Sequence, residues 1–165
     1  MAMIKDALSS VPSKPALWIA PILVVLVLSL YYRDQYVKCV EIRQTRDALN
    51  EHLFALGSPA NFRLAEFTDF NWTSVRIVAS VSLDTISVTC PLDWNWDSGE
   101  RESLVASGWL TAMVFVSQGQ VIRYVELRAD QVEFRGTEGN LTPQAADFSV
   151  LRKPDSDGVI LTLNH

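Results

Sequence analysis

The densest set of chemistry-bearing side chains in this 165-residue sequence is Asp93-Trp94-Asn95-Trp96-Asp97-Ser98-Gly99-Glu100. Asp93, Asn95 and Asp97 stand two apart and can turn three oxygen ligands toward one centre, as the first half of a calcium loop does. The rest of such a loop does not follow. Glycine stands seventh instead of sixth, and Leu104 holds the twelfth position, where a bidentate carboxylate belongs, so Glu100 or Glu102 would have to substitute. Trp94 and Trp96 at the same spacing can form a flat platform for a sugar or a partner surface. The plainer reading packs the indoles on a sheet edge and turns the acids to water. Asp93, Asn95 and Asp97 stay as metal candidates, and Trp94 and Trp96 as interaction candidates.

Other chemistry is thinly represented. No Gly-x-Ser-x-Gly elbow, His-Glu-x-x-His pair, phosphate-cradling loop or dinucleotide fingerprint occurs. The two histidines, His52 and His165, lie far apart, and a general base needs a neighbour and a pocket. Asp93 with Asp97, or Glu100 with Glu102, would pair carboxylates, but any acidic loop looks alike in sequence. Two cysteines cannot build a four-thiolate zinc site. The expectation is a protein without catalytic residues or cofactor. Fourteen Lys and Arg against nineteen Asp and Glu give a net charge of −5, with no basic cluster, which argues against a nucleic-acid partner.

The elements around these residues begin with a short polar tail, 1–14, and eighteen uncharged residues, 15–32, built on Ile22-Leu23-Val24-Val25-Leu26-Val27-Leu28. As a helix they reach roughly 27 Å, close to the hydrocarbon thickness of a bilayer. Trp18 and the Tyr31-Tyr32 pair mark the two interfaces. Small residues suited to signal cleavage do not follow the apolar run, so the spacing predicts an uncleaved single-pass signal-anchor. Lys and Arg counts favour a cytoplasmic C-terminal part. The short polar tail, the Trp-rich and Lys-poor composition and a possible disulfide pair favour an extracytoplasmic one, and that orientation is the expectation.

Residues 33–56 contain no Gly or Pro, and apolar side chains recur at Ile42, Leu49, Leu53 and Leu56 before Gly57-Ser58-Pro59 stops the helix. A stalk is expected here. Its stripe either packs on its own domain or joins two copies through Ile42, Leu49 and Leu56. From 57 to 165 the period changes to two. Alternation over Val75 to Val81 and Thr85 to Cys90, the apolar run Leu110 to Val116, and a hairpin into Val121 to Arg128 predict strands. Val132 to Phe134, Phe148 to Leu151 and Val159 to Leu163 add more. Ser98 to Ser107 reads as one short helix with Asp97 or Ser98 as N-cap. The fold class is α+β, with one mainly antiparallel sheet of about five to seven strands. Cys90 ends a strand just before Pro91, and in an oxidising compartment a bond to Cys39 is expected; the alternative is two unrelated thiols.

Phe70-Asn71-Trp72-Thr73-Ser74-Val75-Arg76-Ile77 and Val114-Phe115-Val116-Ser117-Gln118-Gly119-Gln120-Val121-Ile122-Arg123-Tyr124-Val125-Glu126 resemble segments of small envelope-anchored bacterial proteins of uncharacterised function. The resemblance spans about a third of the chain, with Thr73 where those proteins often carry Asp. It implies a bacterial inner-membrane protein with a β domain, and it assigns no activity. The sequence therefore reads as a non-enzymatic accessory protein whose β domain docks on another membrane or envelope component. The alternative is a glycan- or calcium-binding module centred on residues 93–102.

Overall fold

In a computed structural model of the chain, residues 16–79 and 99–164 are described, with side chains from Ala20 onward. Contacts divide the chain into two compact units, Met1–Gln35 and Tyr36–His165. Helix α1, Ala16–Ala55, supplies the described part of the first unit and continues into the second. In the first unit, Ile22 to Leu28 are each between 48% and 63% exposed. Among the described residues no helix is long and apolar enough to cross a membrane.

The second unit holds two four-stranded sheets. One orders its strands β1 (Ala60–Arg63), β7 (Asp147–Arg152), β8 (Val159–Leu163), β5 (Val132–Arg135). The other runs β4 (Gln120–Arg128), β3 (Leu110–Ser117), β2 (Ser74–Ala79), β6 (Asn140–Leu141). All pairings are antiparallel except β5 with β8, which is parallel. Two helical pieces complete the unit, α2 (Leu64–Phe67) and α3 (Glu100–Ala106). The expected α+β class holds, but the strands divide between two sheets instead of forming one. Short elements that alternate weakly, β1, α2 and β6, join the expected ones.

The apolar run of β3 is explained by burial of both its faces. Met113 and Phe115 point into the core between the sheets, with Val75, Val125, Leu127, Leu141, Phe62, Phe148 and Leu161. Leu110, Ala112 and Val114 point to the outer face, where they meet Cys39, Ile42, Leu104 and Tyr124. The stalk stripe of α1 is shared between these clusters: Cys39 and Ile42 lie on the outer face, Leu49 and Leu53 in the core. The helix thus passes alongside β4, and helix cover is one way to protect the open edge of an outer strand. Ile42 and Leu49 are buried and Leu56 is partly buried against the core, so the chain's own domain occupies the stripe that could have joined two copies. Arg152 closes the end of α1 by donating to the carbonyls of Phe54 and Leu56.

Local chemistry sets the turns. The β3–β4 hairpin turns on Gln118 and Gly119, both at positive φ (51° and 77°), the pair of signs that a type I′ turn requires. Next to it, the register slips between Phe115 and Val116, and Ile122 becomes the extra residue of a β-bulge. Helix α3 begins two residues later than the start expected at Ser98. Its N-cap is Gly99 at φ 76°, with no side-chain cap, in place of the expected Asp97 or Ser98. Between β7 and β8, Gly158 lies so close to the 129–131 turn that an added Cβ would stand 2.8 Å from the Gln131 carbonyl oxygen and 2.9 Å from that of Asp130. Both carbonyls are backbone and cannot swing away. Gly158→Ala is expected to cost about 1–3 kcal/mol by overpacking, read as a lowered urea midpoint with an unchanged slope.

Candidate functional site

Most of the segment singled out for chemistry, Asp93, Trp94, Asn95, Trp96 and Asp97, lies outside the described residues, as do Cys90, the expected 85–90 strand and His165. Its described end is engaged in structure. The Glu100 carboxylate accepts from Arg128 at 3.2 Å, which draws away one of the two acids that a calcium loop would need as a substitute ligand. Among the described residues no group of three or more His, Cys, Asp or Glu can hold a metal ion. His52 lies exposed against two rings, with centroids 5.7 Å from Phe62 and 5.6 Å from Phe67, where it serves packing.

Beside this segment the structure places a charge pair that periodicity did not single out. Glu126 points from β4 to the outer face, where it is 1% exposed, and Arg101 of α3 covers it. The guanidinium donates through Nε at 2.9 and 3.1 Å and through Nη2 at 2.7 Å. Such a fork satisfies both carboxylate oxygens and ties α3 to the sheet. Reading Val121 to Arg128 as a strand puts Glu126 on the same face as Tyr124, so the acid under a helix was implicit in the alternation. Its partner, 25 residues earlier, was not.

A second cluster forms where α1 meets β4. Arg123 contacts Glu41 at 3.3 Å and Asp69 at 3.8 Å, and its guanidinium carbon lies 4.3 Å above the Phe70 ring. The groove beside it, about 440 Å³, is lined by Glu41, Gln44, Thr45, Phe67, Thr68 and Asp69, among others. A third cluster ties the β5 end together. Arg128 holds Asp130 at 2.8 Å, and Glu133 accepts from Arg135 at 2.7 Å and faces Lys153 at 3.6 Å. The hydrogen bonds from Arg128 and Arg135 hold the carboxyls of Asp130 and Glu133 below their ordinary range, against a smaller opposing effect of burial. A depressed folded-state value contributes stability above the unfolded value and loses it as pH falls through the folded one. These two acids therefore leave stability unchanged from pH 7 to about pH 5 and erode it below about pH 4. Asp130→Asn is expected to flatten that acid limb in pH-dependent urea unfolding.

A concavity of about 470 Å³ opens beside β2, β5 and the 136–139 turn. Ile77, Val132 and Phe134 are its apolar part, and Arg76, Thr137 and Glu138 stand around them. Cys39, the described end of the expected bridge, is 1% exposed and disulfide-bonded, and among the described residues no cysteine is free.

No known protein family matches this chain, and no curated protein or solved structure matches it.

Proposed function

We propose that this chain is a non-enzymatic, single-pass accessory protein of the bacterial inner membrane, anchored through residues 15–32, whose β domain docks on another membrane or envelope component. The observation that carries the reading is the exposure of Ile22 to Leu28. Seven consecutive apolar residues sweep about two helical turns. A helix that is apolar on every side suits a bilayer or a buried core and not water. The uncharged stretch begins ahead of Ala20, and counted from Pro15 in the sequence it is eighteen residues, roughly 27 Å as a helix and close to the hydrocarbon thickness of a bilayer.

The disulfide at Cys39 supports an extracytoplasmic β domain, because such bonds persist in oxidising compartments. The bacterial setting rests on the sequence resemblance around Trp72 and the β3–β4 hairpin. The alternative, a calcium or glycan module at 93–102, loses support where Glu100 is taken by Arg128. Full-length protein is expected in the membrane pellet after carbonate washing, and deletion of residues 15–32 should move it to the soluble fraction. A reporter active only outside the cytoplasm, fused after residue 165, should be active. A soluble full-length protein would overturn the anchor, and a reporter active only in the cytoplasm would reverse the orientation.

A further inference from the structure

We propose that the outer face of the β4–β3–β2–β6 sheet lies on the lipid headgroup surface, with Tyr36, Val37, Val121 and Ile122 as its apolar contacts. The proposal rests on the anchor reading above and names the surface that the bilayer meets. Within the second unit, α1 begins on that outer face, where Cys39 and Ile42 pack. It passes the β4 edge with Glu41 against Arg123 and reaches the core between the sheets with Leu49 and Leu53. The chain therefore enters the unit from the outer-face side. Tyr36 follows Tyr32, the last of the uncharged residues, by four positions, a reach of at most about 14 Å even when fully extended.

The side chains exposed on this side suit the boundary between headgroups and acyl chains. Tyr36 and Val37 are 53% and 45% exposed. Val121 pairs with Val116, whose place in the β3 alternation puts both on the face of Ala112 and Val114, and Val121 is 57% exposed. Ile122, the extra residue of the bulge beside it, is 45% exposed. Arg123 contacts Glu41, about one helical turn beyond Val37, and so ties the hairpin to this end of α1. A tyrosine among aliphatic side chains is favoured at headgroup depth, where the ring is apolar and the hydroxyl wet. The tether selects lipid over a diffusing protein, because a surface held this close to the bilayer meets it at a high effective concentration. The opposite side of the unit supplies the comparison. Leu151 of β7 is also 45% exposed, but Phe148 and Val150 point into the core, so Leu151 stands on the outer face of the other sheet.

The test places full-length protein in phosphatidylcholine nanodiscs, with and without bromine on the acyl chains, and reads an environment-sensitive fluorophore on one introduced cysteine. The positions are Val121→Cys, Ile122→Cys and Leu151→Cys, all exposed in the folded protein, and Leu26→Cys in the anchor. Emission from Val121→Cys and Ile122→Cys is expected to fall at least about twofold in the brominated discs, as for a side chain buried at the headgroup–acyl boundary. Leu151→Cys should be unaffected by bromine, and Leu26→Cys should be quenched more strongly than either hairpin position. Quenching at Leu26 without quenching at Val121 or Ile122 overturns the lipid-facing surface and leaves the anchor standing. Equal quenching at Val121 and Leu151 overturns the choice of face. Absence of quenching at Leu26 overturns the anchor reading, and this proposal falls with it.

Discussion

Phe115→Ala is expected to cost about 3–5 kcal/mol, the range for truncating a wholly buried Phe. Phe115 is 1% exposed at the centre of the inter-sheet core, on β3, which is hydrogen-bonded on both sides. Its ring meets Phe70 edge-on at 5.0 Å and Trp72 at 5.5 Å, pairings worth about 0.5–1.5 kcal/mol beyond area burial. Phe70 also lies under the Arg123 guanidinium, so the cavity would loosen the α1–β4 cluster as well. Against a total stability of about 5–15 kcal/mol, the loss can approach the whole. Urea unfolding of the full chain in mild detergent, followed by tryptophan fluorescence, measures it. Phe115→Leu should recover much of the loss by keeping most of the volume. Asp155→Ala, in the exposed β7–β8 turn, should change stability by less than about 0.5 kcal/mol. Comparable losses at Phe115 and Asp155 would refute the core assignment.

This core was legible in sequence because β3 is apolar on both faces, and only a strand covered twice tolerates that. The same logic located β4, β7 and β8 and the helical run to residue 55. It did not show that the strands belong to two sheets, since alternation reports a buried face and not the sheet that supplies it. The parallel β5–β8 pairing was invisible for a related reason. It joins strands with two others between them in the chain, and no local turn signals it. Helix α3 was found, but its cap was misjudged, because Gly99 at positive φ begins the helix without a side-chain bond. Site chemistry was less legible still. The Arg101–Glu126 fork and the groove around Ile77 and Phe134 depend on contacts between distant segments. The acidic and tryptophan-rich segment drew attention through composition, which says nothing of geometry.

A disulfide between Cys39 and Cys90 is the second large effect expected, and it bears on orientation as well as stability. Cys39 is disulfide-bonded and buried on the outer face of β3 and β4, among Ile42, Leu104, Leu110 and Tyr124. Cys90 lies outside the described residues and is the only other cysteine in the sequence, which makes it the partner within one chain. Closing a loop of about fifty residues removes unfolded-state entropy worth about 4 kcal/mol in the chain-entropy model. The folded state would lose little on reduction, because a buried thiol behaves as a small apolar group. The cost of opening the bond should therefore appear as a shifted unfolding equilibrium while the native fold persists. Intact-mass measurement after thiol blocking under non-reducing conditions should find a monomer with no alkylated cysteine. Reduction should expose two alkylation sites and lower the urea midpoint. Cys90→Ala should leave Cys39 open to alkylation once the chain is unfolded and destabilise the protein by a similar amount. Two alkylated cysteines in the untreated protein, or a covalent dimer, would sink the intramolecular bridge. Either result would also take away the support it lends to an extracytoplasmic β domain, because a bond of this kind persists only where the compartment keeps thiols oxidised.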